Sequence, residues 1–268
     1  MTASLARTHR IRTLAASQVA HNPYGPSTEA SQYELHLMQL AEHRLRLKQV
    51  QSGEAKAALK RELLPEYSAY LEGVLKADPG TPDEVVATLM VWSMDAGHWE
   101  PALTLAEYVL RHRLPLPDRF ARTAGCLIAE EVAEAALRAL ATDTDFRLPV
   151  VDRAKHLTKT EDMPDEVRAK LHLATARLLL RDAQANADSP NMTAIKSGIA
   201  DLKRAIALHG ACGGKKDLER AERLLKKHAA HSGTPSVSRA SGRPGTEQLP
   251  NSTAAPVPAT GHLAQENT

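Results

Sequence analysis

The sequence predicts an all-α fold: helical hairpins in one elongated body, with a disordered N-terminal arm and a disordered C-terminal tail. Three observations point there. Hydrophobic residues make up 43% of the chain but aromatics only 3%, so a core must be built from Ala, Leu, Val and Ile, and Ala and Leu are strong helix formers. No run of β-branched or aromatic residues alternates with a period of two. Prolines, glycines and capping residues stand where apolar helical patterns begin and end.

Residues 1–27 read as a disordered basic arm carrying Arg7, Arg10 and Arg12. Residues 28–51 read as an amphipathic helix. Ser31 and Glu34 have capping-box spacing, and Tyr33, Leu37, Met38, Leu40, Ala41 and Leu45 are assigned to one face. Gly53 interrupts, EAKAALKRELL resumes the pattern, and Pro65 ends it and opens PEYSAYLEGVLKA.

The tetrapeptide PDEV occurs twice, within Thr81–Val85 and within Met163–Val167. Its paired carboxylates are expected to be helix-start chemistry rather than a catalytic acid pair. In the first copy Thr81 is the expected cap, Pro82 the first helical residue and Glu84 the third; in the second, Asp162 is the expected cap. Such a cap contributes about 1 kcal/mol.

Gly97 closes the helix after the first copy, and another is expected over Pro101–Arg113. After LPLPDRF, helices are expected at about 125–141, 149–159, 164–183, 191–209 and 215–229. Ala102, Ala106, Ala174, Ala176, Ala200 and Ala205 are expected to pack the hairpins. No period of about 34 residues is sustained, which argues against a repeat array. From residue 231 the chain turns to Ser, Thr, Pro, Gly and Ala and buries too little apolar surface to fold. The expected division is an arm at 1–27, basic N-terminal helices at 28–80 for DNA binding or oligomerisation, a helical-hairpin core at 81–230 and a tail at 231–268.

Few chemistries survive inspection. No uncharged apolar stretch approaches the roughly 20 residues that span a bilayer, so no membrane partner is expected. The two cysteines, Cys126 and Cys212, form no disulfide framework and fit a reduced cytoplasm. HGACGGKKD (209–217) fails as a phosphate loop: Gly210 and Gly214 are one residue too close, Lys216 stands where Ser or Thr would hold magnesium, and the segment follows a helix. A helix-ending glycine turn is the better reading. His228 and His231 lack further ligands for zinc, and Glu130, Glu131 and Glu134 read as a solvated helix face. No catalytic residue, metal site or cofactor is expected, so the chain does not read as an enzyme.

Charge is more informative. The net charge is +2, but residues 1–60 carry +4, residues 61–195 carry −7 and residues 196–228 carry +5. Two basic ends around an acidic centre suit a polyanion. Arg44, Arg46, Lys48, Lys56, Lys60 and Arg61 are the expected DNA-binding residues, because phosphate contact needs charge rather than special spacing. The segment 196–227 is the competitor. It is ranked second because Asp201, Asp217, Glu219 and Glu222 fall at spacings that permit internal ion pairs. Scarce aromatics argue against single-strand binding by stacking. A helical protein-binding scaffold and a helical DNA-binding regulator remain open on these grounds.

Several blocks share an order: KRELLP (60–65), DEVVATLMVWSMDAGHWEPALTLAEYVLRHRLPLP (83–117), AEEVAEAALRA (129–139) and EDMPDEVRAKLHLATARLLLRD (161–182). Together they resemble the small terminase subunit of peduovirus-type phages, which are temperate, contractile-tailed and have cohesive ends. The likeness covers about residues 30–228. It implies a non-catalytic DNA-packaging factor in the host cytoplasm that recognises double-stranded phage DNA at its cohesive-end site, forms a homo-oligomeric ring, and recruits and regulates the large terminase subunit, an ATPase and nuclease. The ends depart from the pattern: the family's tail is strongly basic, and this one is nearly neutral.

Overall fold

A computed structural model describes residues 28–117, 122–184 and 191–232. The expected arm, and the tail from residue 233, lie outside the described residues. Within them the fold is all-α and no strand occurs. The helices are α1 (Thr28–Gln49), α2 (Gly53–Leu63), a 3-10 turn (Leu64–Tyr67), α3 (Ser68–Ala77), α4 (Glu84–Asp95), α5 (Trp99–Arg111), α6 (Ala124–Ala141), α7 (Leu148–Leu157), α8 (Asp165–Ala183), α9 (Met192–Leu208) and α10 (Lys215–Ser232).

Local chemistry sets the helix starts. Ser52, Thr123 and Asn191 each accept a hydrogen bond from the backbone N–H three residues on, capping α2, α6 and α9. The first PDEV copy does the same, but two residues later than expected. Asp83, not Thr81, caps α4, with its Oδ1 accepting from Val86 N at 3.0 Å. Its Oδ2 accepts from the Tyr70 hydroxyl at 2.5 Å, a tertiary bond that favours Asp83 over Thr81. In the second copy the cap is Pro164, which offers no side-chain bond. Asp162 gives only a backbone carbonyl, to the Thr123 hydroxyl. α1 already begins at Thr28, so Ser31 lies inside its first turn rather than at a cap. α5 begins at Trp99, two residues early, because Pro101 in a first turn loses no intrahelical bond.

Two apolar clusters share α8. The first gathers Leu40, Leu63, Tyr67, Leu89, Trp92, Leu103, Tyr108, Ile128 and Val151 around Leu171, Ala174 and Leu178. The second sets Leu173, Ala176 and Leu180 of α8 against Ile195, Ile199 and Leu202 of α9 and Ala221 of α10. α8 is therefore apolar on both sides, as a helix between two layers must be. Packing runs without a break across residue 80, since Leu40 and Leu63 join the same cluster as Val85 and Leu89.

Small residues make the hairpins close, though not all of those expected. Ala102, Ala106, Ala174, Ala176 and Ala205 are fully buried, whereas Ala200 is exposed. The close approach of α9 to α8 is made instead by Gly198. A Cβ there would stand 3.1 Å from Leu180 Cγ and 3.4 Å from the Ala176 carbonyl oxygen. α1 also differs from expectation. Leu40, His43 and Leu47 face the core, while Met38, Ala41 and Leu45, assigned to that face from the sequence, are exposed.

Candidate nucleic-acid interface

The six expected DNA-binding residues lie on α1 and α2 and divide into two sets. Arg44 points inward from α1, and its side chain is 17% exposed. It donates from Nη1 to Glu84 Oε1 and from Nη2 to Thr88 Oγ1, both at 2.6 Å. Its Nε is buried without a partner. Lys60, 16% exposed, pairs with Asp95 at the end of α4. These two cations tie α1 and α2 to α4, and their charge is compensated within the chain. Arg46 is exposed, with Glu62 at 4.0 Å. Lys48 and Arg61 are exposed and Lys56 half-buried, and none of the three has a carboxylate at ion-pair distance among the described residues. Glu42, Glu54 and Glu62 are exposed on the same two helices, so little net charge is left there.

The competing segment is organised differently from its expected internal pairing. Asp201 of α9 turns toward α7 and α8, where Lys155 Nζ stands at 2.5 Å and His172 Nδ1 at 2.7 Å. Burial pushes the Asp201 carboxyl up, but its bonds to His172 and Lys155 outweigh this and hold it below the usual carboxylate range. Asp217 accepts from Arg177 Nε of α8 at 2.8 Å. Lys203 and Glu222 pair inside the segment, at 3.0 Å. Asp201 and Asp217 are thus drawn to neighbouring helices. Lys215, Lys216, Arg220 and Lys226 of α10 remain exposed, with no carboxylate at ion-pair distance among the described residues.

Among α7, α8 and α9 lies a basic cleft of about 760 Å³, lined by Asp152, Lys155, His156, Lys159, Arg168, His172 and Arg204. Arg168 spends its guanidinium on the carbonyls of Thr158, Lys159 and Glu161 past the end of α7. Lys159, His156 and Arg204 stand exposed at the rim. Sequence reasoning missed the cleft because its cations come from three helices, and no single stretch shows the cluster.

The other candidates resolve simply. HGACGGKKD forms the turn between α9 and α10, with Gly213 in the left-handed region at φ 85° and Gly214 packed against Leu202 and Leu173. It has none of the strand-to-helix geometry of a phosphate loop. The acidic residues of α6 are not a solvated face. Glu130 pairs with Arg122 and Lys170, and Glu134 with Lys170 at 3.1 Å. Burial, with Asp95 and Glu134 nearby, pushes the Glu131 carboxyl up. No group of three or more His, Cys, Asp or Glu among the described residues could hold a metal ion; the His231 side chain lies outside them. No described helix is long and apolar enough to cross a membrane.

Comparison with known proteins supplies the family. Residues 37–166 match the family described as phage small terminase subunit. A curated relative from Escherichia phage P2, named terminase, endonuclease subunit, is 40% identical over 223 residues, spanning 83% of this chain and 86% of the relative. No solved structure matches. The family match over residues 37–166, and 40% identity across most of both chains, place this all-α chain in the family of small terminase subunits that serve phage DNA packaging.

Proposed function

We propose that the chain binds double-stranded phage DNA at the cohesive-end site through the exposed face of α10, with the rim of the cleft among α7, α8 and α9 as a further basic surface, and delivers it to the large terminase subunit. What carries this reading is the excess of positive charge on α10, whose Lys215, Lys216, Arg220 and Lys226 have no carboxylate at ion-pair distance among the described residues. The N-terminal cations left uncommitted, Lys48, Lys56 and Arg61, form a second and weaker surface together with Arg46. Residues 28–80 then serve contacts between copies in a homo-oligomeric ring in the host cytoplasm.

Replacing Lys215, Lys216, Arg220 and Lys226 together with Ala should weaken duplex binding. It should also flatten its salt dependence by roughly 0.9 log–log units for each phosphate no longer neutralised. Replacing Arg46, Lys48 and Arg61 with Ala should do less. A steeper fall in affinity from the N-terminal variant would reverse the assignment. A wild type that binds a cohesive-end duplex no better than a scrambled one of equal length would remove the specificity claimed.

The chain itself is read as non-catalytic, with the ATPase and nuclease in its large partner, although the P2 relative is named an endonuclease subunit. What supports this is the geometry of its one Gly-Lys segment, a turn between two helices with its lysines opening α10. The purified chain should turn over no ATP and cut no duplex. Turnover abolished by Lys215→Ala would overturn the reading.

A further inference from the structure

The large hydrophobic side chains exposed among the described residues are Leu35, Met38 and Leu45, at 56, 70 and 61%, and all three stand on α1. They lie on the side of the helix away from Leu40, His43 and Leu47, which face the core. Leu35, Met38, Glu42, Leu45 and Gln49 recur at alternating steps of three and four, the spacing of a coiled-coil seam. α1 thus carries two stripes, one packed inside its own chain and one without a partner among the described residues.

We infer that the outer stripe is the contact between two copies of this chain, packed antiparallel about a two-fold axis. The charge pattern selects both the partner and the direction. In an antiparallel pair centred between Met38 and Glu42, Leu35 faces Leu45 of the second copy, Met38 faces its Glu42, and Glu34 on the flank faces its Lys48. Leucine thus meets leucine and Glu34 meets Lys48, Met38 packs along the methylene stem of Glu42, and every contact occurs twice, as a self-complementary surface requires. A parallel pair would set Glu42 against Glu42 in the middle of the seam, where desolvated like charges repel.

The inference does not rest on where DNA binds. It deepens the homo-oligomer proposed above by assigning one of its faces. A two-fold contact closes on two copies, so a ring needs a further face elsewhere. With three apolar side chains from each copy, the contact is small and its affinity should be micromolar.

The test uses the full chain and its mass in solution at micromolar concentration. Leu35→Glu alone and Leu45→Lys alone should each halve the assembly mass, while the helical circular dichroism stays unchanged. The chain carrying both substitutions should recover it, because antiparallel packing sets each new carboxylate against the partner's new ammonium. Glu42→Leu should tighten association by about tenfold, the effect of ~1.4 kcal/mol. A monomeric wild type overturns both this inference and the homo-oligomer reading. An assembly untouched by either single substitution overturns this inference alone and leaves the stripe to another protein. Dissociation by both singles without recovery in the double overturns the antiparallel arrangement.

Discussion

Replacing Asp83 with alanine should destabilise the fold by about 2–4 kcal/mol, adding the loss of a helix cap to the stranding of a part-buried hydroxyl. Asp83 is 6% exposed. One oxygen holds the first turn of α4 and the other holds Tyr70 of α3, so a single carboxylate joins two helices. Asp83→Asn keeps an oxygen for the cap and should lose less than half as much.

The pH dependence distinguishes these variants further. Burial pushes the Asp83 carboxyl above its reference value of 3.8, against the opposing bonds from Tyr70 and the backbone. Between 3.8 and the raised value, the folded chain holds a proton that the unfolded chain has released, so stability falls as pH rises through that window. Asp201 has the opposite sign. Its folded pKa lies below 3.8, so its contribution is complete above 3.8 and is lost as pH falls through the folded value. Chemical denaturation from about pH 3 to 7 should show Asp83→Asn removing a slope above 3.8 and Asp201→Asn removing one below it. Glu131 and Asp152, also raised by burial, share the sign of Asp83, so each variant is compared with the wild type at every pH. A slope above 3.8 that survives Asp83→Asn unchanged would refute the assignment.

Arg44→Ala should cost about 2 kcal/mol and leave the salt dependence of DNA binding unchanged. The guanidinium makes two charge-assisted bonds of 2.6 Å to α4, each worth about 1.5–3 kcal/mol when made to a charged group. The full sum is not expected. Glu84 is 39% exposed at its side chain and regains water, Thr88 can turn to its own helix, and the unpartnered Nε no longer has to be buried. Arg44→Met, which keeps the apolar stem, should recover part of the stability. The readouts are a thermal melt, where about 2 kcal/mol lowers the midpoint by roughly 4–8 °C, and a salt titration of duplex binding. A flattened salt slope with an unchanged melt would return Arg44 to the DNA interface.

Arg44 also shows where sequence reasoning stops. That α1 is a helix was legible from its apolar spacing. Which of its residues face inward was not, because two apolar stripes lie on opposite sides and steps of three and four fit both. Arg44 and Lys60 looked free because their partners, Glu84 and Asp95, lie 40 and 35 residues along the chain. The same blindness made Asp201 and Asp217 look like partners for lysines on their own helices, when Lys155, His172 and Arg177 reach them from α7 and α8. The glycine turn at 209–217 was legible because it depends only on local chain chemistry. The cap of α4 falls at Asp83 rather than Thr81, since nothing near it in sequence reveals the Tyr70 hydroxyl.

The two apolar clusters differ in what light can report about them. The chain has two tryptophans, Trp92 and Trp99; Trp92 sits inside the first cluster and Trp99 packs against it. The second cluster, which supports α10 through Ala221, Leu218 and Leu224, contains no aromatic ring among the described residues. Intrinsic tryptophan fluorescence therefore observes the first cluster alone. If α9 and α10 came apart from α8 while the rest stayed folded, emission would hardly change and only the far-ultraviolet signal would fall. A probe placed in α10, rather than the native indoles, is what would make this second cluster visible.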